Sequence, residues 1–516
     1  MAGSLTVTNL GAPGFYGLNT QDSPTGLDPK FCLAAENVVI DQSGRLAARK
    51  GWERFIAADE HINQDGVKLV FEYINSVGAT ELIVVVASGY IYSVGEDNSA
   101  ALIYTGLDWS EAEWKAVNFN NKCYFFQRGH DPLVYDGSSC IKLNLAGSYS
   151  GTVQTAHEVL AAYGRLWTAD TLTDKVTVKW SDTLIGQAWT GGAAGSLDLN
   201  TVYGEGVRPV TALAAFNGKL VIFCDKTIIL YDGAESDPST NLVLSDIING
   251  VGCVARDSVI NIGTDILFLS DSGVRSLGRV ISEKSAPIND ISKNVRDTMI
   301  ADIVAHDDYD SIKAGYNEKD GYYLLSLPNV RKSYCLDLKQ RLPDGSARIT
   351  TWSLAPLSMC YRLNRDFVYG FNTGVGRSST DYKDDGALYQ MAYFSSHLAN
   401  GDLSNLSILK FLRLMGYGGS NYLIRFLWGT DYEGLPNQTQ TRFPAAGAAS
   451  EYGSNGATEY GIGEYGSAVP VIRALRQNLS GTGRVFQIGI QVPIYGYAFS
   501  IQQIDIFTKK GRLSTL

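Results

Sequence analysis

The chain is dominated by short apolar runs that are separated by turn-forming polar residues. Residues 217–224 read NGKLVIFC and are followed, after two polar residues, by TIILYDG at 227–233. Residues 120–127 read NNKCYFFQ and lead in the same way to LVYDG at 133–137. Both copies share Asn-x-Lys, an apolar run, a polar turn and Tyr-Asp-Gly, so they predict a repeated strand–turn–strand unit.

Looser copies of this unit predict further hairpins along the chain. They lie at residues 82–92, 165–168 with 176–180, 266–277, 322–327 with 333–337, and 367–371 with 387–391. The hairpins start at a typical spacing near the ~40–50 residues of one propeller blade. A lone hairpin cannot bury its apolar face, whereas four-stranded blades around an axis bury both faces. The pattern therefore predicts an all-β fold, a β-propeller of about six or seven blades.

Two segments depart from the hairpin pattern. Apolar residues recur at three- and four-residue steps between Ile288 and Ile303, which predicts one inserted helix near 287–304. From about residue 404, alternating strands surround an Ala/Gly/Ser-rich stretch, which predicts a small C-terminal β domain with a flexible loop at 445–468. The expected domains are a segment 1–60 that feeds the first blade, a propeller over 61–403, and the C-terminal domain over 404–516.

The charge balance narrows the class of function. Lys and Arg number 43 against 53 Asp and Glu, a formal net charge of −10. A protein whose main task is gripping nucleic-acid phosphates usually carries a strongly basic surface, which this balance does not favour. The longest aliphatic run, at residues 82–87, has only the length of a strand, so we expect no membrane-spanning segment. The first basic residue is Lys30, so we also expect no secretory signal.

The seven cysteines form no CxxC pair and are spread along the whole chain. Several of them sit inside apolar, strand-like runs, as Cys123 does. We therefore expect buried free thiols in a protein that folds in a reducing cytosol, in preference to disulfides or a metal site.

The sequence offers few candidates for a catalytic, cofactor or metal site. Residues 461–466 spell GxGxxG, but they lie in the Ala/Gly-rich stretch and not between a strand and a helix, so no dinucleotide site is predicted. The run HDDYD at 306–310 is interpreted as a solvated turn. The segment from Asp381 has Lys383 and Ala392 where an EF-hand needs ligands. The five histidines are scattered and suggest no catalytic triad. We expect no catalytic residues, no cofactor and no metal.

Four groups of residues resemble a known family. The stretch at 28–39 (DPKFCLAAENVV) leads into GRLAARKGW at 44–52, a Ser-Asp pair is followed by Trp189, and two further segments lie at 281–288 and 481–504. Together they resemble the tail nozzle proteins of podoviruses, the tail tubular protein B family. The positions that match the family's motifs are Gly44, Arg45, Arg49, Gly51, Trp52, Ser181, Asp182 and Trp189.

The resemblance implies a structural virion protein of a short-tailed bacteriophage. Such a protein would be located in the virion tail, assembled in the host bacterial cytoplasm, and homo-hexameric around the tail axis. It would attach below the head-to-tail adaptor protein, carry tail fibres or spikes, and form the nozzle through which phage DNA is retained and ejected. The acidic balance agrees with DNA that slides through the lumen without specific binding.

Alternatives remain at this point. The plug or packaged-DNA-stabilising proteins of other short-tailed phages share the propeller theme. A glycan-binding or glycan-degrading β-propeller, as an adsorption protein or a depolymerase, is the runner-up. The Ser181–Trp189 segment loosely resembles the Asp-box turn of sialidase-type propellers, but the gap to Trp189 is too long. A sialidase would also need clustered arginines.

Two groups of residues are candidates for contacts with other molecules. Glu-Tyr-Gly occurs three times in the predicted loop, which is interpreted as a gate, a distal tip, an inter-subunit clasp or a loop without a role. The pairs are Glu451 and Tyr452, Glu459 and Tyr460, and Glu464 and Tyr465. Arg45, Arg49 and Lys50 are candidates for contact with an acidic partner, although such residues are more often solvated charges of a hairpin.

Overall fold

Strands make up 54% of the chain, and the helices are few and short. The computed structural model describes residues 5–11, 14–41, 43–56, 59–106, 113–201, 208–284, 290–400, 403, 405–445 and 472–513. The prediction of an all-β fold is confirmed. No helix within these ranges is both long and apolar enough to span a membrane.

The N-terminal part of the chain consists of short strands. They are β1 (Leu5–Leu10), β2 (Gly17–Leu18), β3 (Phe31–Glu36), β4 (Val38–Ile40), β5 (Leu46–Ala48) and β6 (Trp52–Arg54), followed by the helix α1 (Glu60–Gln64).

Four antiparallel sheets follow, each built from four strands that are consecutive in sequence. The first contains β7 (Val67–Ile74), β8 (Thr80–Val86), β9 (Tyr90–Val94) and β10 (Ala100–Thr105). The second contains β11 (Lys115–Phe119), β12 (Lys122–Phe126), β13 (Leu133–Tyr135) and β14 (Cys140–Lys142). The third contains β15 (Ala156–Ala162), β16 (Arg165–Thr171), β17 (Thr177–Trp180) and β18 (Gly195–Asp198). The fourth contains β19 (Val210–Phe216), β20 (Lys219–Cys224), β21 (Thr227–Asp232) and β22 (Val243–Asn249), with the helix α2 (Pro238–Asn241) before its last strand.

Three more sheets of this kind complete the series. The fifth contains β23 (Ile260–Asn261), β24 (Ile266–Ser270) and β25 (Gly273–Ser276), followed by the helices α3 (Leu277–Glu283) and α4 (Arg296–His306). The sixth contains β26 (Lys313–Asn317), β27 (Tyr322–Leu327), β28 (Lys332–Arg341) and β29 (Ala347–Trp352). The seventh contains β30 (Ser358–Tyr361), β31 (Phe367–Phe371) and β32 (Gly374–Ser378), and the N-terminal strand β6 is its fourth strand.

The first strands of these sheets contact one another in chain order. β7 contacts β11, β11 contacts β15, and β15 contacts β19. The 3₁₀ helix Arg256–Ser258 of the fifth sheet lies between β19 and β26, and β26 contacts β30. β30 in turn contacts β7 of the first sheet. Small antiparallel sheets arranged in this way are the building units of a β-propeller.

The C-terminal strands form two sheets that pack on each other. They are β33 (Tyr389–Ser395), β34 (Leu398–Ala399), β35 (Asn405–Gly418), β36 (Tyr422–Thr430), β37 (Asn437–Phe443), β38 (Arg473–Gly483), β39 (Val485–Ile494) and β40 (Phe499–Leu513). One sheet has the order β38-β35-β40-β5-β4, with β1 paired to β40. The other has the order β3-β33-β39-β36-β37. Phe499 of the first sheet packs edge-on against Tyr422 and Phe443 of the second, so the two sheets share one core. We refer to this unit as the sandwich.

The sandwich and the propeller share a sheet. The parallel pair Thr351–Glu36 joins β29 of the sixth sheet to β3, so hydrogen-bonded strands continue from β26 at the centre of the propeller to β37 at the sandwich edge. At this junction, the carbonyl of Val38 accepts from the side chains of Thr350 and Trp352, and Oδ1 of Asn37 accepts from the amide of Ser353. The two units are therefore connected by strand pairing and not by a flexible linker.

The repeated Asn-x-Lys motif is explained by turn geometry. Asn217 and Gly218 have φ of +50° and +78°, and Asn120 and Asn121 have φ of +44° and +63°. Two successive positive φ values define a type I′ turn, which matches the twist of a two-residue hairpin and is tolerated best by Asn and Gly. The turns connect β19 to β20 and β11 to β12, so the motif marks the start of the second strand in its sheet.

Several expectations about boundaries need correction. Residues 367–371 pair with β32 and not with 387–391, because Gly374 follows Phe371 after a two-residue turn. Tyr389 and its neighbours in β33 instead bury their apolar side chains in the sandwich. The helix expected near 287–304 is α4, Arg296–His306, preceded by the 3₁₀ turn Lys293–Val295. The strands of residues 1–60 join the sandwich sheets and the seventh sheet, whereas we expected them to feed the first.

Candidate functional site

The β4–β5 hairpin carries the first residues of the sequence motif at 44–52. Gly44 occupies a turn position with φ of +73°, and its amide donates to the carbonyl of Asp41 at 2.9 Å. The Nε of Arg45 lies 2.7 Å from Oδ2 of Asp41. Arg45 is therefore partly buried in an ion pair within its own hairpin.

Arg49 is completely buried. Its guanidinium donates to both carboxylate oxygens of Asp384 at 2.8 and 2.6 Å and to Oδ1 of Asn37 at 2.9 Å. It also lies over the ring of Tyr389, 4.3 Å from the centroid. Burial lowers the pKa of Arg49, but the bonds to Asp384 and its charge outweigh this and raise the pKa overall. Arg49 is neither a solvated hairpin charge nor available to an acidic partner.

Gly51 and Trp52 connect the motif to the seventh sheet. A Cβ on Gly51 would lie 1.8 Å from the carbonyl oxygen of Lys383, so only glycine fits at this position. The Gly51 amide donates to the carbonyl of Asp381 at 2.9 Å. Trp52 begins β6, pairs with Ser378, and packs on the ring of Phe371 at 4.4 Å between centroids. The motif thus joins the sandwich to the last propeller sheet.

The same motif lines a cavity of about 500 Å³ between the sixth and seventh sheets and the sandwich. The β4–β5 hairpin, Lys50 and Gly51 form one side, and the start of β40 forms another. The sixth sheet contributes Tyr322, Asp337, Arg348 and Trp352. Aromatic walls with a few polar groups are typical of small-molecule sites, so this cavity is the candidate site of the chain.

The polar groups of the cavity differ in how well they are paired. Asp41 is neutralised by Arg45, and Lys50 lies 3.9 Å from Asp320. The Asp337 carboxylate, 9% exposed, accepts one hydrogen bond, from the amide of Lys339 at 3.0 Å. Burial raises the pKa of Asp337 above its ordinary value. Sequence reasoning did not single out Asp337 or Arg348, because a charged pair on neighbouring strands looks like any other cross-strand pair.

Ser181, Asp182 and Trp189 lie far along the chain, in the third sheet. The Oγ of the fully buried Ser181 accepts from the amide of Leu166 at 3.0 Å. Asp182 accepts from the amides of Thr183 and Ala193 at 2.8 and 3.0 Å, and the Ala193 bond is the main cause of its lowered pKa. Trp189 is buried between the second and third sheets. The structure does not bring these three residues to the cavity; they build a turn.

A second group of ionisable residues lies where the first strands of the sheets meet. We call it the central charge cluster: Lys68, Glu113, Lys115, Arg128, His157, Glu158, Arg256, Asp257, Asp310 and Lys313. Lys313 contacts Asp257 at 2.6 Å and Glu113 at 2.5 Å, and Glu113 contacts Lys68 at 3.0 Å. Sequence reasoning missed this cluster, because its members are spread from the first sheet to the sixth.

Arg256 is the hub of the cluster. Its guanidinium donates to Asp257, to the carbonyls of Trp114 and His157, and to Nδ1 of His157 at 3.1 Å. Because an arginine can only donate, Nδ1 of His157 must be an acceptor and the ring must carry its proton on Nε2. Burial and then the charge of Arg256 lower the pKa of His157 to about 4. The attraction of Arg256 and Lys313 outweighs burial and lowers the pKa of Asp257.

Glu158 is fully buried beside this hub. It accepts from Nζ of Lys115 at 2.7 and 2.8 Å and from the amide of Leu213 in β19 at 3.0 Å. Burial raises the pKa of Glu158, with Lys115 and Arg256 opposing the shift. These bonds connect the second, third and fourth sheets, so the cluster holds the sheets together from the centre.

The HDDYD run at 306–310 is split between two environments. His306 is buried, with Nε2 2.8 Å from the hydroxyl of Ser311, and burial lowers its pKa. Asp310 faces the central charge cluster, where the hydrogen bond with His157 and the charge of Arg128 lower its pKa to about 2. Among the residues that the structure describes, no three His, Cys, Asp or Glu side chains are grouped so as to hold a metal.

The candidate gate residues Glu451, Tyr452, Glu459, Tyr460, Glu464 and Tyr465 lie outside the described residues. The seven cysteines are all described and are all free thiols.

No protein-family model and no curated protein matches the sequence. Among solved structures, the extracellular domain of a putative hybrid two-component system from B. thetaiotaomicron is 12% identical with a TM-score of 0.40, over 73% of this chain. This chain spans 46% of that domain, less than half of its length. BamB from Moraxella catarrhalis is 9% identical over 66% of this chain and 95% of its own, with a TM-score of 0.37. The WD40 β-propeller domain of Doa1 is 12% identical over 63% of this chain and 96% of its own, with a TM-score of 0.35.

Proposed function

We propose that the chain is a structural subunit of the tail nozzle of a short-tailed bacteriophage. The observation that carries the proposal is the position of the motif at 44–52, one of the four segments on which the family resemblance rests. Its residues build the junction between the propeller and the sandwich, through the Arg49–Asp384 pair and the close approach of Gly51 to Lys383. A motif with this role supports a rigid building block better than a catalytic site.

We further infer that the propeller has seven blades. The inference rests on the seven small sheets whose first strands contact one another in order, with β30 returning to β7. The seventh blade then takes its fourth strand, β6, from the N-terminal segment. Such a strand joins the two ends of the ring, because it brings the N-terminal segment into the last sheet.

The central charge cluster bears on where DNA would pass. Arg256 and Glu158 are 2% and 0% exposed, and their bonds to neighbouring sheets occupy the centre of the ring. DNA would therefore pass between subunits and not through a single propeller. This supports a ring of several copies, with six expected from the family resemblance, attached to an adaptor protein and carrying fibres or spikes.

Electron microscopy of the full chain, alone and mixed with the adaptor protein of the same phage, tests the proposal. We expect six-fold rings with an open lumen between subunits in the mixture. A population of monomers in the presence of adaptor, with no ring, would contradict the nozzle role. Release of reducing ends from host capsule or lipopolysaccharide by the purified chain would favour the depolymerase instead.

A further inference from the structure

One wall of the cavity presents three hydrogen-bonding side chains in a row. Tyr322, Asp337 and Arg348 are paired in register across β27, β28 and β29. All three line the cavity. Neighbouring strands lie about 4.8 Å apart, so the row extends across roughly 10 Å. A row of that length is long enough to contact one or two rings of a small molecule.

Asp337 and Arg348 face each other across the strands without forming an ion pair. Opposite charges at such positions ordinarily contact one another. Within the described chain, no hydrogen bond or ion pair links the two side chains, and Nε of Arg348 is buried without a hydrogen-bond partner. Asp337 keeps accepting capacity beyond its single bond from the Lys339 amide. A buried donor without a partner is unfavourable and calls for a ligand or an ordered water.

Aromatic side chains line another part of the wall, and the whole lining holds four acidic and five basic side chains. Trp352 and Tyr369 are each 3% exposed, and Tyr382 and Tyr417 on the sandwich side are half-buried. Acidic and basic groups are both present, and the Asp41–Arg45 pair is already internally neutralised. The cavity therefore offers no field that would select a strongly charged ligand.

We propose that this cavity binds a neutral saccharide unit. A sugar hydroxyl is both donor and acceptor, so it can donate to the Asp337 carboxylate and accept from the partly exposed guanidinium of Arg348 at the same time. The apolar C–H face of the sugar ring can then pack on an aromatic side chain. The proposal concerns binding only, and it does not depend on the tail role, because it rests on the cavity wall and not on the motif at 44–52.

The test is saturation-transfer NMR followed by calorimetry on the full chain. The probes are glucose, galactose, N-acetylglucosamine, maltose and lactose. Glycine and alanine are the controls, because they are small polar molecules that carry both charges. We expect at least one saccharide to bind with a Kd on the order of 1 mM or tighter. Asp337→Asn and Arg348→Met should each weaken that binding about tenfold or more. Arg341→Met is the matched control, since Arg341 is exposed on the same strand pair and does not line the cavity, and it should leave binding unchanged.

Arg348→Lys keeps the charge but removes the planar guanidinium donors, so it should also weaken binding about tenfold or more. It serves as the second variant if Arg348→Met does not fold. No saccharide binding at about 20 mM would overturn the proposal. So would saccharide binding that survives both cavity substitutions, or binding of glycine or alanine in place of the sugars.

Discussion

The guanidinium of Arg49 and the carboxylate of Asp384 form a two-point ion pair at 2.8 and 2.6 Å, although 335 positions separate the two residues. Asp384 lies in the turn between the seventh sheet and β33, and Arg49 lies just before β6. The pair therefore connects the two chain segments that run between the sandwich and the propeller. Its geometry is the strong, directional one that arginine makes with carboxylates.

Replacing Arg49 should destabilise the protein strongly. Arg49→Met leaves Asp384 and the Asn37 side chain without their buried donor, and removing one partner of a buried pair costs about 3 kcal/mol. Urea unfolding measured by fluorescence should show this as a lower midpoint. Arg45→Met is the control, because the Arg45–Asp41 pair is partly exposed and local to one hairpin. It should cost less than about 1 kcal/mol. Equal effects of the two substitutions would contradict the structural role of Arg49.

Gly51→Ala should be harmful for a steric reason. The added Cβ would lie 1.8 Å from the carbonyl oxygen of Lys383, so the backbone must move and the bond to Asp381 is lost. We expect a loss of about 2 kcal/mol or more in the free energy of unfolding, or insoluble protein. Gly147→Ala, with no atom within 4 Å of the new Cβ, should change stability by less than about 0.5 kcal/mol. A Gly51→Ala protein as stable as the wild type would contradict the close approach of Gly51 to the carbonyl of Lys383.

Stability should depend on pH through His157. The folded-state pKa of His157 is lowered to about 4 from an ordinary 6.5. Because this pKa is depressed, the unfolded chain binds the proton first as pH falls. The stability that neutral His157 contributes is therefore present above pH 6.5 and is lost as pH falls toward 4. The loss is at most about 3 kcal/mol. Unfolding titrations of the wild type and His157→Gln should differ in slope across this interval. Parallel slopes would mean that burial and the charge of Arg256 do not hold the ring neutral.

The thiols should be unreactive in the folded protein. Cys32, Cys123, Cys224, Cys253 and Cys335 are buried, and burial raises the pKa of the half-buried Cys140 and Cys360 to about 12. The thiolate is the form that attacks thiol reagents, so almost none of the thiols should react at pH 8 within minutes. All seven should react in denaturant. Rapid titration of several thiols in the native state would contradict this packing.

Duplex DNA should bind weakly at physiological salt, because the chain carries a net charge of −10. The sandwich nevertheless carries basic residues in one sheet, where Arg413, Arg476 and Lys509 lie on neighbouring strands. We therefore expect affinity that rises steeply as salt is lowered. Fluorescence anisotropy with a 30-base-pair duplex should give a Kd above about 1 µM at 150 mM salt. Sub-micromolar, sequence-independent binding at that salt would overturn the sliding argument.

The sequence predicted the features that local chemistry decides. Asn120 and Asn217 mark type I′ turns because few residues tolerate positive φ, and the apolar runs beside them became the inner strands of their sheets. Pairing between distant segments was not predictable in this way. The pairing of β6 with β32 depends on register across more than three hundred positions, which no local pattern records.

The same contrast between local and long-range features holds for the candidate site. The motif at 44–52 was identified because it resembles a family motif, and the structure places it at the cavity. Its opposite wall, with Asp337 and Arg348, is formed by ordinary-looking strand residues. The central charge cluster was missed for the same reason, since Arg256 and Glu158 acquire their meaning only when the sheets meet.

The strand pairing that continues from β26 to β37 has a mechanical consequence. A force applied to the sandwich reaches the middle of the propeller through hydrogen-bonded ladders, without a hinge that could absorb it by bending. The narrowest place on this route is the Glu36–Thr351 contact, where one residue pair bridges the strands and neighbouring side chains share the load. Under traction, we expect the strand pairing to break there first, and the break would expose the apolar core that the fifth and sixth sheets share with the sandwich.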